Sequence, residues 1–433
     1  MSFNVQHSTM SSVLPFDIIA LIIDIVGEDK DTNLLKQLAL VSHSFLQICN
    51  KHLFATVELR DAFPTRPGPI PSSKKGFVKL LNSRPDVVKY IRKLTYTVAV
   101  TVGVSHHFDS EFESFSPALT VSESDDDRFI LPNLLRTISR LKCLTIIGSM
   151  LDWNALDSSL TSALLHLMHL PTINHIDLSY MQNFPLFNLT PSVNLRRLDI
   201  VFLIEADGPP ILVQSEMMPK IREFHSSQSS LSTTKLLYAT MQDGQPAFNF
   251  MDLRRFSMSF ASFDDGRSIR YLLQNAKLLE TLHLLVGFDW SLVGLHDILS
   301  PSAHTLKVLD LTVSLYSVPL PLAGLCEELE AMAGHYALEA LSIEVQVDGH
   351  ETEDFIGSTI QKVENVLVKS GWSALKQVSF KVSIACCLVT KVNIEKLFEA
   401  LQTLPDKYLN RISKLESVAF DYSAYFVERN FLA

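Results

Sequence analysis

A six-residue pattern, with apolar residues at its first, fourth and sixth positions, recurs along most of the chain. Its eleven copies begin at Ile91, Leu141, Ile173, Leu195, Ile221, Leu253, Leu279, Leu306, Leu338, Leu375 and Leu415. In each copy the fourth and sixth positions alternate with the fifth, and this alternation predicts a β-strand with one buried face. The stretches between copies, for example residues 153–170, 268–276, 323–335 and 354–369, have the spacing of helices.

One strand and one helix per repeat of about 30 residues cannot bury an apolar face alone, but stacked repeats can. The pattern therefore predicts an α/β fold over residues 91–433, a curved solenoid whose parallel sheet lines the concave face. The fourth positions should form one continuous buried ladder. This ladder includes Leu144, Ile176, Leu198, Leu282, Leu309, Leu341 and Val378.

The third and fifth positions of each copy should project from the opposite, concave face of the sheet. Repeat proteins bind partners on such faces, although for any single residue a merely solvated surface is the alternative. The candidate substrate-binding residues are His175, Asp177, Arg197, Asp199, His225, Arg255, His283 and Asp310. Asp177, Asp199 and Asp310 should be solvent-accessible, because burying three unpaired carboxylates would be too costly.

The segment 14–23, LPFDIIALII, is nearly all apolar and predicts a helix that buries two faces. Its apolar residues and those that follow fall on two helical stripes, which are Ile18, Ile22 and Ile25, and Ile19, Ile23 and Val26. Two short helices should follow, at 34–41 and 44–54. Three helices in about 45 residues make a unit too small to be stable alone. The unit should therefore bury surface against a neighbour in the chain or against another protein.

The same stretch has a Leu-Pro opening, a central Leu-Val-Ser and a closing His-Leu-Phe, and it resembles an F-box of the divergent kind common in fungal proteins. The resemblance implies a helical domain over residues 13–59. It also implies that several residues contact a Skp-family adaptor or form the small core. These residues are Leu14, Pro15, Ile18, Ile22, Leu38, Val41 and Leu53.

The repeated pattern from Ile91 onward resembles the irregular leucine-rich repeats that follow many F-boxes. Regular repeats carry Asn or Cys three residues after the hexad, whereas five copies here carry Ser, so some turns should be irregular. Residues 60–90 should form a Pro-rich linker and a first helix. Residues 109–127 should form a protruding or disordered acidic loop, in which Ser122 and Ser124 are either phosphorylation acceptors or part of a solvated loop.

Charge and cysteine content narrow the functional class. The net charge of −10 argues against nucleic acid as the main partner, since phosphate binding needs a surplus of Lys and Arg on one face. Residues 1–13 lack the cationic start of a secretory signal, and no stretch has the composition of a membrane span. Five cysteines without a C-x-x-C pair fit a reducing compartment. We expect a cytoplasmic or nuclear protein with no membrane partner.

The sequence contains no nucleotide-binding, zinc-protease or serine-hydrolase motif. His166 and His169 have helical spacing and could share a metal, but no nearby residue completes four ligands, so a structural role is favoured. Cys386 and Cys387 are adjacent in a strand-like run and should face opposite sides, which favours packing. We expect no cofactor, no metal site and no catalytic residue.

Together the two resemblances imply a substrate-receptor subunit of a cullin-type (Skp–cullin–F-box) ubiquitin ligase. In this hypothesis residues 14–59 bind the adaptor and, through it, a cullin. The solenoid then binds a protein substrate whose identity the sequence does not give. Two alternatives stay open, which are an intracellular leucine-rich interaction scaffold without a ligase role and a hydrolase built from scattered His and Asp residues.

Overall fold

The computed structural model of the chain describes eleven stretches of residues. They are 15–60, 74–98, 125–204, 218–241, 243–260, 263–286, 292–314, 324–347, 353–369, 371–385 and 391–427. The chain folds as an α/β protein around a twelve-stranded parallel sheet, preceded by three short helices.

The first three helices enclose a small core of their own. They are α1 (Phe16–Glu28), α2 (Thr32–Ala39) and α3 (His43–Leu53). Asp31 caps α2 by accepting a hydrogen bond from the Leu34 backbone N–H at 3.0 Å, and Ser42 caps α3 in the same way through Phe45. Their buried apolar residues are Ile23, Leu35, Ile48 and Cys49. Four buried side chains are a minimal core, as expected for a unit of this size.

All twelve strands are parallel, and each one pairs with the strands before and after it in the sequence. The strands are β1 (Thr56–Arg60), β2 (Lys93–Thr97), β3 (Cys143–Asp152), β4 (His175–Gln182), β5 (Arg197–Ile204), β6 (Glu223–Ser227), β7 (Arg255–Phe260), β8 (Thr281–Val286), β9 (Val308–Ser314), β10 (Ala340–Val347), β11 (Gln377–Ala385) and β12 (Ala419–Val427). Because the strands are parallel and pair in sequence order, each crossover places the next strand beside the one before it.

Helices occupy most of the described crossovers. They are α4 (Lys74–Ser83), α5 (Asp125–Arg136), α6 (Ser158–Met168), α7 (Ser230–Tyr238), α8 (Phe263–Asn275), α9 (Leu295–Leu299), α10 (Leu325–Met332), α11 (Glu353–Leu367), α12 (Lys391–Gln402) and α13 (Leu404–Tyr408). Short 3₁₀ segments lie at Pro85–Tyr90, Trp153–Ala155, Leu186–Leu189, Ser300–Ser302 and Ile412–Lys414. The four predicted helical stretches coincide with α6, α8, α10 and α11. Neighbouring helices pack on one another, as α5 does on α6 and α10 on α11.

The predicted buried ladder is present. Its seven named residues, from Leu144 to Val378, are each at most 1 % exposed. Direct pairings such as Leu282 with Leu309 and Leu309 with Leu341 place them side by side across the sheet. One continuous apolar core extends from Leu59 to Ile412 and is shared by the sheet and the crossover helices.

The sequence prediction missed the first strand of the sheet and placed the last strand two residues too early. Strand β1 lies within residues 13–59, where only the helical domain was expected, and Thr56 pairs with Lys93. The stretch FATVEL from Phe54 is therefore a twelfth copy of the pattern, ahead of the predicted start of the sheet at residue 91. At the other end Gln377 pairs with Ala419, so the last copy lies two residues later than predicted. A turn that closes with Val418 N–H donating to Leu415 C=O occupies the extra residues.

The irregularity predicted for some turns occurs within β4 and β5 and directly after β6. Tyr180, Phe202 and Gln228 have left-handed backbone, with φ of 56°, 48° and 51°. One of the five serines noted above nevertheless satisfies turn backbone groups. The Ser229 hydroxyl accepts from the Leu203 N–H at 2.9 Å and donates to the Ser227 carbonyl at 3.0 Å.

Candidate functional site

The eight predicted substrate-binding residues lie on β4 to β9, at third and fifth positions of the pattern. We call the face formed by these positions the open face, because alternate residues of a strand point to opposite sides and the ladder occupies the other side. Register places the residues in two rows. The first row pairs Cys143, His175, Arg197, Glu223 and Arg255, and the second pairs Asp177, Asp199, His225, Ser257, His283 and Asp310.

Asp199 lies on the open face, and the prediction that it is solvent-accessible is wrong. The residue is only 7 % exposed because two cationic side chains cover its carboxylate. Arg197 donates to Asp199 Oδ2 from Nη2 at 2.8 Å, and His175 donates to the same oxygen from Nε2 at 2.9 Å. Burial raises the pKa of Asp199, but the hydrogen bonds from His175 and Arg197 outweigh it and hold that pKa below its usual value. The exposure prediction assumed that a buried Asp199 would be unpaired. Because two cations pair with its carboxylate, its burial does not carry that free-energy cost.

His175 joins Asp199 to a residue that sequence reasoning missed. Its Nδ1 lies 3.2 Å from Cys143 Sγ on β3. Burial lowers the pKa of His175, but the bonds with Asp199 and Cys143 raise it overall to about 9. Cys143 was omitted because it carries no charge, although it occupies the third position of its copy, as His175 does in the next. That shared third position could have predicted that Cys143 lies beside His175 on the open face.

The other polar groups around Asp199 respond differently to burial. Asp177 accepts from Ser179 Oγ at 2.9 Å, and burial raises its pKa while that bond opposes the change. Burial lowers the pKa of His225, so its neutral form is favoured. The open face therefore holds one carboxylate whose pKa pairing lowers beside one whose pKa burial raises.

Two further contacts extend the charged row toward β7. Glu223 lies 3.6 Å from Arg197 and 3.3 Å from Arg255. Arg197 and Arg255 are largely exposed, so solvent screens both pairs and each contributes little to stability. Their guanidinium groups remain accessible to a partner on the open face.

A second His–Asp pair lies farther along the same face. His283 Nδ1 lies 2.9 Å from Asp310 Oδ2, on β8 and β9. Burial raises the pKa of Asp310, but the bond with His283 outweighs it and lowers that pKa. A cavity of about 270 Å³ adjoins this pair and is also lined by His225, Ser257 and Thr312. The structure thus groups the eight predicted residues into a cluster at β4–β7 and a pair beside this cavity.

The apolar surface of the first helices is the second candidate site. Of the predicted adaptor-binding residues, Pro15, Ile18, Ile22 and Val41 are exposed, whereas Leu38 and Leu53 pack against the small core. Leu14 lies outside the described residues. The prediction missed five exposed apolar neighbours, which are Phe16, Leu21, Ile25, Leu34 and Leu40. Ile25 was on the predicted stripe with Ile18 and Ile22 but was not assigned to adaptor contact, and Leu21 follows Ile18 at helical spacing.

The remaining chemical candidates give no site. Within the described stretches, no group of three His, Cys, Asp or Glu could hold a metal ion. His169 instead bonds the Asn188 carbonyl from Nε2 at 2.6 Å. Cys386, Cys387, Ser122 and Ser124 lie outside the described residues, as do 61–73 and most of the predicted acidic loop, whose residues 125–127 begin α5. In the part of the chain that the structure describes, no helix combines the length and apolarity needed to cross a bilayer.

His175 should make folding stability depend on pH. Its pKa is about 9 in the folded protein against an ordinary value of 6.5, so between these values the folded state holds a proton that the unfolded state has lost. The free energy of unfolding should therefore be highest below about pH 6.5 and fall toward about pH 9. Urea denaturation across this range measures the effect. The variant His175→Gln should lose this part of the pH dependence, and equal slopes in both proteins would refute the assignment.

Comparison of the chain with known proteins gives no relative. No protein-family model matches it, and no curated protein matches it. The two surfaces described above therefore carry the functional argument.

Proposed function

We propose that the chain is the substrate-receptor subunit of a Skp–cullin–F-box ubiquitin ligase. One observation carries the proposal. Eight of the twenty exposed large apolar side chains in the described stretches lie between residues 16 and 41. Soluble proteins rarely concentrate exposed apolar side chains in this way except where another macromolecule binds.

The exposed residues form an ordered stripe. On α1, Ile18, Leu21, Ile22 and Ile25 follow one another at helical spacing and are all exposed. The opposite stripe of the same helix, Ile19, Ile23 and Val26, packs into the small core. Leu34, Leu40 and Val41 add apolar area from α2 and the turn after it. One face of α1 thus packs in the core of the three-helix unit, and the other is apolar and exposed. A helix of this kind suits insertion into the groove of a partner protein.

The resemblance to an F-box supplies the identity of that partner. Three of the eight exposed side chains, Ile18, Ile22 and Val41, are among the residues that the resemblance assigns to adaptor contact or to the small core. The exposed Pro15, directly before α1, is a fourth. A Skp-family adaptor would cover the stripe, and a cullin would join through the adaptor. The chain itself would perform no chemistry, and it would raise the concentration of a captured protein near the transferring enzyme.

The open face is the proposed substrate-binding surface. It belongs to a leucine-rich-repeat solenoid in this proposal, and its paired and exposed charges of both signs suit a polar protein surface. Arg255 and the His283–Asp310 pair are the most accessible of the eight candidate residues. Because the sheet is rigid and extended, such a surface binds a folded partner without large rearrangement.

Charge in the apolar stripe should abolish adaptor binding. In the double variant Ile18→Asp, Ile22→Asp, adaptor binding would bury two unpaired carboxylates at a cost of several kcal/mol, on the order of 2–7 for each polar group. Co-purification of the Skp-family adaptor with full-length protein from its own cells measures the effect. The sheet should stay folded, as circular dichroism and thermal unfolding would show.

The matched control is Gln47→Asp, which adds a carboxylate at an exposed site on α3 outside the stripe. This variant should bind the adaptor as the wild type does. If wild-type protein co-purifies with no adaptor, the ligase proposal fails and the interaction scaffold without a ligase role replaces it. If both variants lose the adaptor equally, the stripe is not the contact.

A further inference from the structure

Three side chains on neighbouring strands form a continuous polar line across the open face. Cys143 on β3 lies 3.2 Å from His175 Nδ1 on β4, and His175 Nε2 lies 2.9 Å from Asp199 on β5. The arrangement contains a thiol, a base within reach of the thiol, and a carboxylate that orients the base. These three roles are those of an activated nucleophile.

The protonation state of His175 determines which of its ring nitrogens donate hydrogen bonds to Asp199 and Cys143. A ring that keeps its proton near neutral pH has N–H groups at both nitrogens. Nε2–H then donates to Asp199, and Nδ1–H points to Cys143 Sγ. A charged N–H at this distance can donate to the sulfur and can supply a proton when the sulfur reacts.

Charges of both signs face this pair from the adjoining strands. Lys93 on β2 is the register partner of Cys143, and Arg197 and Asp199 lie on β5. Asp177 on β4 keeps its proton more readily than an ordinary carboxyl, and His225 on β6 favours its neutral form. His175 is the charged group in contact with the sulfur, and a partly exposed thiol beside a protonated histidine is typical of reactive cysteines.

The two other described cysteines lie in different surroundings. Cys49 is fully buried in the core of the first helices, and burial raises the pKa of its thiol. Cys326 on α10 is partly exposed, and burial together with Glu327 and Glu330 raises its pKa. Cys326 thus has the same partial exposure as Cys143 without a base, which makes it an internal control.

We propose that Cys143 is a nucleophilic thiol, activated by His175 and held in place through Asp199, and that it is modified by small electrophiles, above all hydroperoxides. The site is independent of the adaptor surface and of any ligase role. Because the thiol is only partly exposed on the strand face, small reagents are the class that can reach it.

The oxidation step is balanced within the named groups. The thiolate sulfur attacks one oxygen of the hydroperoxide, and an S–O bond forms as the O–O bond breaks. Sulfur is oxidised to a sulfenic acid and the peroxide is reduced. With hydrogen peroxide, the departing hydroxide takes a proton from the His175 imidazolium and leaves as water.

Alkylation kinetics test the proposal in the full-length protein. Iodoacetamide is added, and the modification of each cysteine is followed by peptide mass spectrometry. At about pH 7 Cys143 should react about tenfold faster than Cys326, because His175 contacts the Cys143 sulfur whereas burial and neighbouring glutamates raise the pKa of Cys326. In the variant His175→Gln the Cys143 rate should fall about tenfold.

The matched control is His283→Gln, which removes a His–Asp pair of the same 2.9 Å geometry that has no described cysteine bonded to it. This variant should leave the Cys143 rate unchanged. After brief treatment with hydrogen peroxide, dimedone should label Cys143 in the wild type and in His283→Gln but not in His175→Gln.

A comparison without variants covers the case in which His175→Gln fails to fold. On unfolding in urea, Cys143 should react more slowly with iodoacetamide because it loses its base, whereas Cys326 should react faster because it loses its cover. If Cys143 also reacts faster on unfolding, or reacts no faster than Cys326 in the native protein, the proposal is overturned.

Discussion

Leu309→Ala is expected to lower the free energy of unfolding by about 2–5 kcal/mol. Leu309 is 0 % exposed and lies in the ladder, between Leu282 and Leu341. Removing its side-chain atoms leaves a cavity that the sheet backbone cannot close, because neighbouring strands hold each other at a fixed spacing. Urea denaturation followed by circular dichroism measures the change.

The matched control is Asp310→Ala, one residue later on the same strand. Asp310 projects on the open face and pairs with His283, so its loss should cost less than about 1 kcal/mol. If the open face binds a protein substrate, this variant should weaken substrate capture while the fold stays intact. Equal losses of stability for the two variants would contradict the division of the sheet into a core face and an open face.

The division of the sheet into two faces could be predicted from the sequence, because each side chain of a strand points to one face or to the other. A residue that alternates with two buried neighbours must lie on the opposite side. The ladder and the placement of His175, Arg197 and Asp310 follow from that rule alone. Periodicity also explains the misplaced last strand. Val418, Phe420 and Tyr422 alternate regularly, so a shift of two residues keeps apolar residues at the fourth and sixth positions. Only the first position changes in character, from Leu415 to Ser417.

The contacts within the open face could not be predicted in the same way. Whether Asp199 is exposed depends on where the Arg197 and His175 side chains fold, and whether Cys143 meets His175 depends on pairing across 32 residues. Both are properties of cross-strand register and side-chain conformation. The first strand was missed for a different reason. FATVEL at Phe54 follows directly after a helical unit, so it was assigned to that unit although it has the strand pattern.

The second prediction concerns a buried carboxylate that holds the last crossover in place. Glu364 on α11 is 4 % exposed, and its Oε1 accepts from the backbone N–H groups of Arg411 and Ile412 at 2.7 and 3.1 Å. Glu328 on α10 plays a similar part for α9, where it accepts from the N–H groups of Gly294 and His296 at 2.6 and 2.7 Å. In both places a carboxylate satisfies backbone donors that their own helical turn leaves unpaired.

Glu364→Ala should therefore cost about 3 kcal/mol of unfolding free energy, because it leaves two donors in a dry environment without an acceptor. Glu364→Gln is the matched control. Its amide oxygen can still accept both bonds, so the loss should be about 1 kcal/mol, the difference between charge-assisted and neutral hydrogen bonds. Urea denaturation measures both values, and amide hydrogen exchange at Arg411 and Ile412 should accelerate in Glu364→Ala alone. If the two variants lose the same stability, the charge of Glu364 matters and its hydrogen bonds to the backbone do not.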